Sequence, residues 1–262
     1  MKIVIFSDVH GADLSPLERE VLGTLTIGDQ IICLGDFDEP ETVREIIELQ
    51  KKYNAAEIEM YILPGNHELA IYHQSPVISF SSSQDAALIL REFKEHVEAL
   101  QAKPEARDYV RMLLNNPWAI FFLDENNFAN RYNTVAIHGA LAGQLGSRQS
   151  EHEEIAPDSV DARLWYRLNT LEDHAKNFSE MKRIGLNLML RGHDREQEFA
   201  YMGPNGKPEI KKGVGDHVIF QGQMQTVTVG PYKMGCYALI DTRVFGQDCP
   251  IVSLKKLSSY KP

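Results

Sequence analysis

A chain of 262 residues with a formal charge of -10 and three cysteines can bury a full α/β core without disulfides. The acidic balance opposes long-range attraction to nucleic acid or anionic lipid. Cys33, Cys236 and Cys249 are odd in number and lack C-x-x-C spacing, which excludes a disulfide framework or a zinc knuckle. The apolar run at 3–6 is too short for a secretory core, and the longest run elsewhere, 118–123, falls far below the roughly 20 residues that cross a bilayer. A soluble chain in a reducing, cytoplasmic compartment is expected, with no membrane partner.

Residues 2–6 are β-branched and apolar up to Ser7, the pattern of a strand buried on both faces, and Asp8 and His10 follow its end. Ser15-Pro16 then opens a helix reaching about Leu25, with serine as its cap. Residues 30–34 are the next buried strand, 40–52 place Val43, Ile46, Ile47 and Gln50 on one helical face, and 57–63 return to strand. This β-α-β-α-β order predicts a largely parallel sheet with helices packed on it. Helical periodicity over 84–115, divided near Lys103-Pro104, predicts an insertion within one domain spanning 1–262. The insertion either caps the crevice or lies against the domain.

Residues 118–123 and 132–137 flank a polar stretch and read as an antiparallel hairpin, followed by His138-Gly139. Residues 162–167 and 171–184 read as helices, and 186–190 as a strand leading into Arg191-Gly192-His193. Short strands at 199–202, 217–220, 225–229, 236–241 and 251–254 are expected to build a second, mainly antiparallel sheet.

Asp8 and His10, two apart on an extended backbone, project to the same side and can share a cation. Gly35-Asp36 ends the second strand and Gly65-Asn66-His67-Glu68 the third, while His138-Gly139 and Gly192-His193 close two more. Carboxyl ends of parallel strands are where ligand sites form, so these glycine-flanked clusters point to one crevice rather than to separate loop hydrogen bonds. Imidazole, carboxylate and amide oxygen without thiolate suit manganese or iron first, with zinc or nickel as alternatives.

In their order, D-V-H-G, G-D, G-N-H-E, H-G and R-G-H-D, the motifs resemble those of the calcineurin-like metallophosphoesterase superfamily over most of the chain. The resemblance implies a four-layer α/β/β/α sandwich of two mixed β-sheets flanked by helices. It also implies two divalent metal ions, one held by Asp8, His10 and a bridging Asp36, the other by Asp36, Asn66, His138 and His193, with His67 as the catalytic histidine. The pattern looks most like the phosphoprotein phosphatase branch, because Arg195 stands where many superfamily members carry a further histidine ligand, and Trp165 echoes a tryptophan there. Against that branch's G-D-x-V-D-R-G, Pro40 replaces the phosphate-clamping arginine and Glu39 falls where an aspartate orients the catalytic histidine.

The implied reaction is hydrolysis of a phosphomonoester, on a phosphoprotein or a small phosphorylated metabolite or nucleotide, by a metal-bridging hydroxide with His67 protonating the leaving alkoxide. A phosphodiesterase or dinucleoside-polyphosphate hydrolase is one competing reading, and a catalytically weak metal-binding scaffold for protein interaction is another. Arg195 is spaced to grip substrate phosphate or to pair with Glu196 or Glu198, with Arg131, Arg167 and Arg191 as alternatives. Asp38 and Glu68 border the site as orienters of imidazoles or as solvated loop acids. His73, His96, His152, His174 and His217 lie outside the motifs and are expected to be solvated or structural.

Overall fold

The computed structural model describes residues 1–68, 95, 98, 99, 102, 119–122, 133–141, 167–242 and 250–260. Within these the chain runs β1 (Lys2–Phe6), α1 (Ser15–Glu20), β2 (Gln30–Cys33), α2 (Pro40–Ala55), β3 (Glu59–Ile62), β4 (Ala119–Phe122) and β5 (Thr134–Ile137). It continues through α3 (Leu171–Arg183), β6 (Leu188–Arg191), β7 (Glu198–Met202), β8 (Pro208–Lys212), β9 (Gly215–Val218), β10 (Gln225–Thr228), β11 (Cys236–Asp241) and β12 (Ile251–Lys256). The insertion expected at 84–115 lies outside the described residues, apart from Glu95, Glu98 and Ala99, which are helical, and Ala102. The helix expected at 162–167 lies outside them too, except for Arg167.

Two six-stranded mixed sheets form, in the orders β3-β2-β1-β11-β12-β9 and β4-β5-β6-β10-β7-β8. In the first, β1, β2 and β3 are parallel, and β11, β12 and β9 extend the sheet antiparallel. In the second, β5, β6 and β10 are parallel, with β4 antiparallel to β5 and the β7-β8 pair added antiparallel beyond β10. The late strands therefore do not make one sheet of their own, as expected from their spacing. β9, β11 and β12 complete the first sheet, while β7, β8 and β10 join the hairpin strands in the second. Alternation along a strand records which face is buried but not which neighbour supplies its hydrogen bonds.

The buried residues explain the layering. Ile3, Ile5, Ile32, Ala238, Ile240, Val252 and Leu254 of the first sheet pack against Ala136, Leu188, Leu190, Phe199 and Val227 of the second. The other face of the first sheet, with Val4, Phe6, Ile31 and Cys33, lies under Leu17 of α1 and Val43, Ile46, Leu49 and Tyr53 of α2. The outer face of the second carries Val135, Ile137, Met189 and Ala200 against Phe178 and Met181 of α3. Helix, sheet, sheet and helix thus form the four layers, and the central strands are apolar on both faces because both are covered.

Pro40 in the first turn starts α2, and a Thr170–Asp173 capping box starts α3. Ser15 is the first residue of α1 rather than its cap. The Asp13 carboxylate accepts its backbone N–H at 2.9 Å and its hydroxyl at 2.6 Å. β8 went unread in the sequence because Pro-Glu-Ile-Lys-Lys is a half-exposed edge strand without apolar alternation.

Gly35 shows how tightly the strand ends are drawn together. Its φ is +90°, and a Cβ there would lie 2.7 Å from the Gly65 Cα. Gly35→Ala is expected to destabilise the protein by about 3 kcal/mol or more, the sum of left-handed strain and overpacking, read as a lowered urea midpoint.

Candidate metal centre

Each predicted site residue sits on a turn leaving the carboxyl end of a parallel strand. The loop after β1 keeps pairing with the loop after β2 beyond the strands themselves: Asp8 N–H donates to the Gly35 carbonyl at 3.0 Å, His10 N–H to Asp36 at 2.9 Å and Gly11 N–H to Phe37 at 3.0 Å. The paired loops turn by taking left-handed backbone at Asp8 (φ 54°), His10 (48°), Asp36 (60°) and Asp38 (65°), and His193 does the same at 65° after β6. Such conformations cost roughly 1–3 kcal/mol each, and their concentration at one locus singles it out as a candidate functional site.

The two sheets meet here. Ser7 bridges Pro231, and the Ser7 carbonyl accepts from Tyr232 N–H at 2.7 Å. The Asp8 carboxylate accepts His193 N–H at 3.0 Å. The Arg191 guanidinium, fully buried, donates to the Gly139 carbonyl at 2.8 Å and pairs with Asp194, so it braces the turns that carry His138 and His193.

Asp8, Asp36, Asn66, His138 and His193 are all at most 6% exposed. Nε2 of His138 lies 2.8 Å from Asn66 Oδ1, 3.1 Å from His193 Nδ1 and 3.2 Å from Asp36 Oδ2. Its Nδ1 lies 2.5 Å from the Leu34 carbonyl, which only accepts, so that nitrogen carries the ring's proton. Two oxygens and one imidazole nitrogen thus face one ring nitrogen, a set of lone-pair donors that a divalent cation could hold together. His193 is held neutral, its pKa pushed well below the usual histidine value by burial first and then by the Arg167 charge. Burial opposes ionisation of Asp36, yet His138 and His67 hold its carboxyl well below the usual range. The donor set fits a cation of the manganese, iron or zinc type. Asp8, Asp36, His138 and His193 bring ligand atoms within 4.8 Å of one another, as do His10, Asp36 and His67 in an adjoining group that shares Asp36.

Nearer the surface, His10 and His67 pack with ring centroids 4.9 Å apart and side chains 14% and 19% exposed. Nε2 of His10 is 3.9 Å from Asp8 Oδ1, and Nε2 of His67 is 3.8 Å from Asp36 Oδ2. Burial opposes protonation of His67, but the Asp36 and Asp38 carboxylates outweigh it and raise its pKa to about 9. Glu68 accepts backbone N–H groups from Asp36, Phe37 and Gly65 at 2.8–2.9 Å, so its buried carboxylate ties the second and third strand ends together.

These positions bear on two expectations. The carboxylate against the His67 ring is Asp38, at 2.5 Å from Nδ1, whereas Glu39 immediately precedes α2 and its side chain lies along Gly11. Asp36 and Asp38 have the same two-residue spacing that pairs Asp8 with His10, a signal outweighed by the family's three-residue spacing. Arg195 is exposed, and its two expected acidic neighbours are engaged elsewhere, Glu196 with Lys212 and Glu198 with the buried His174. The partly buried Arg167 acts electrostatically on His193, Asp8 and Asp194. His217 stacks on Phe199 at 4.6 Å, away from the site. Arg131, Trp165, His73, His96, His152 and Cys249 lie outside the described residues.

Residues 1–120 match the model of the calcineurin-like phosphoesterase superfamily domain. No curated protein matches the chain. Among solved structures, a metallophosphoesterase from Sphaerobacter thermophilus aligns over 100% of this chain and 89% of its own, at 20% identity and a TM-score of 0.56. A cold-active protein-tyrosine phosphatase of a Shewanella species aligns over 98% and 80%, at 16% identity and 0.53. A protein serine/threonine phosphatase from Saccharomyces cerevisiae aligns over 100% and 81%, at 12% identity and 0.52. At these identities the likeness is one of fold.

Proposed function

Through its first 120 residues the chain belongs to the calcineurin-like phosphoesterase superfamily, and from that premise we propose that it is a metal-dependent phosphatase acting on phosphomonoesters. The observation that carries this reading is the convergence of Asn66, Asp36 and His193 on one His138 nitrogen beside a second donor group at His10. Asp8, His10 and Asp36 would hold one divalent cation, and Asp36, Asn66, His138 and His193 the other. When bound, such cations supply Lewis-acid activation of water and of the phosphoryl oxygens.

The remaining work falls to the chain. His67, protonated at neutral pH, presents Nε2–H as the general acid for the leaving alkoxide, while Asp38 holds its other nitrogen. Arg167 is a cation whose field, with that of Arg191, reaches the site, and it stands beside Arg195 as a candidate for gripping substrate phosphate. The two neighbours that are phosphatases by name favour a monoester substrate. Phosphodiesters are the second reading, because Pro40 stands where the phosphatase branch carries a clamping arginine. We further propose that residues 1–262 act as one domain.

p-Nitrophenyl phosphate and bis(p-nitrophenyl) phosphate separate these readings. After dialysis against a chelator, monoester turnover is expected to vanish and to return with Mn²⁺. Turnover of the diester alone, or undiminished activity in metal-free protein, would overturn the proposal.

A further inference from the structure

The two oxygens of Asp38 face different rings. Oδ2 lies 2.7 Å from Nδ1 of His10, and Oδ1 lies 2.5 Å from Nδ1 of His67. A carboxylate only accepts, so both imidazoles carry a proton on Nδ1 and turn Nε2 toward the site, where Asp8 and Asp36 stand. We propose that Asp38 is a positioning residue shared by the two rings, so that one carboxylate sets both the aim of a metal-binding imidazole and that of the proton donor. The roles assigned to the rings rest on the phosphatase reading above; the shared carboxylate itself does not.

The placement of Asp38 supports this. Phe37 before it is fully buried in the core under the first sheet, and Pro40 two residues later opens α2. The backbone at Asp38 is left-handed, which turns the carboxylate back over the crevice between these two anchors. His10 comes from the loop after β1 and His67 from the loop after β3, while Asp38 follows β2 between them, so the residue joins all three parallel strand ends. Metal-bound imidazoles ordinarily need a carboxylate or carbonyl on their second nitrogen, and its removal commonly costs 10–100-fold in metal affinity. Here that partner also serves a second ring.

The test uses protein loaded with Zn²⁺ and labelled with ¹⁵N-histidine. Wild type is expected to show slowly exchanging, downfield Nδ1 protons from both His10 and His67. His67→Ala removes one of them, and Asp38→Asn removes at least one, because an amide oxygen can accept from only one ring where two acceptors are required. Competition with a chelator should then show Zn²⁺ affinity falling about 10–100-fold in Asp38→Asn. A wild-type protein lacking either proton, or Asp38→Asn with both protons or with wild-type Zn²⁺ affinity, would overturn the inference. The wild-type and His67→Ala spectra decide the matter even if Asp38→Asn does not fold. None of these readouts involves substrate: an inactive protein with both protons would sink the phosphatase reading alone, and an active one without them would sink only the shared carboxylate.

Discussion

Asp36→Asn is expected to lower monoester turnover by about 10³-fold or more, since metal activation contributes several kcal/mol and each 1.36 kcal/mol is tenfold in rate. Among the described residues no other takes part in both donor groups: Asp36 belongs to the set with Asp8, His138 and His193 and to the set with His10 and His67. Its Oδ1 also accepts the His67 backbone N–H at 3.0 Å, so the acid's own loop is hung from it. An asparagine keeps the volume and one acceptor but removes the charge that makes the pocket attractive to cations. The measurement is turnover at saturating Mn²⁺ together with the Mn²⁺ concentration that half-restores activity, and both should worsen. Unchanged half-restoration would remove Asp36 from the ligand set.

His67→Ala should separate the two effects. Loss of a positioned general acid costs about 10²–10⁴-fold in kcat, while metal affinity should stay near wild type because His138, His193, Asn66, Asp8 and Asp36 remain. The pH profile gives an independent sign. Against burial, Asp36 and Asp38 raise the His67 pKa to about 9, and cations on Asp36 would draw it down from there. The kcat should therefore fall on an alkaline limb at or below about pH 9 as His67 loses its proton. That alkaline limb should be missing in His67→Ala. Fast-leaving p-nitrophenolate needs little protonation, so the variant's defect should deepen with an alkyl phosphate, whose alkoxide is a poor leaving group.

Much of the fold was legible in local pattern. The apolar runs that became β1 and β2 read as buried strands, and their order with α2 between β2 and β3 implied parallel pairing. The residues of the candidate centre were legible for the same reason. Turns that leave buried parallel strands use glycine beside a polar residue, and Gly35-Asp36, Gly65-Asn66-His67, His138-Gly139 and Gly192-His193 all announce themselves in that way.

Charge assignments across loops were not legible. Asp38 and Glu39 are neighbours of the same chemistry, and which one meets His67 depends on the left-handed turn at Asp38 and on Glu39 being drawn into the start of α2. Arg167 and Arg195 differ in burial, which arises from packing rather than from spacing. The late strands were expected in one sheet and fall in two for a related reason, since backbone hydrogen bonds carry no side-chain code.

By itself, then, the amino-acid order determined most of the strands, the turns at their ends and a candidate set of donor residues, because alternation, glycine and ligand chemistry act within a few residues. Only the tertiary structure decided which acid faces which imidazole and which strands share a sheet. Those choices depend on distances between segments far apart in the chain, where 2.5 Å separates Asp38 from His67 and the sequence separates them by 29 positions.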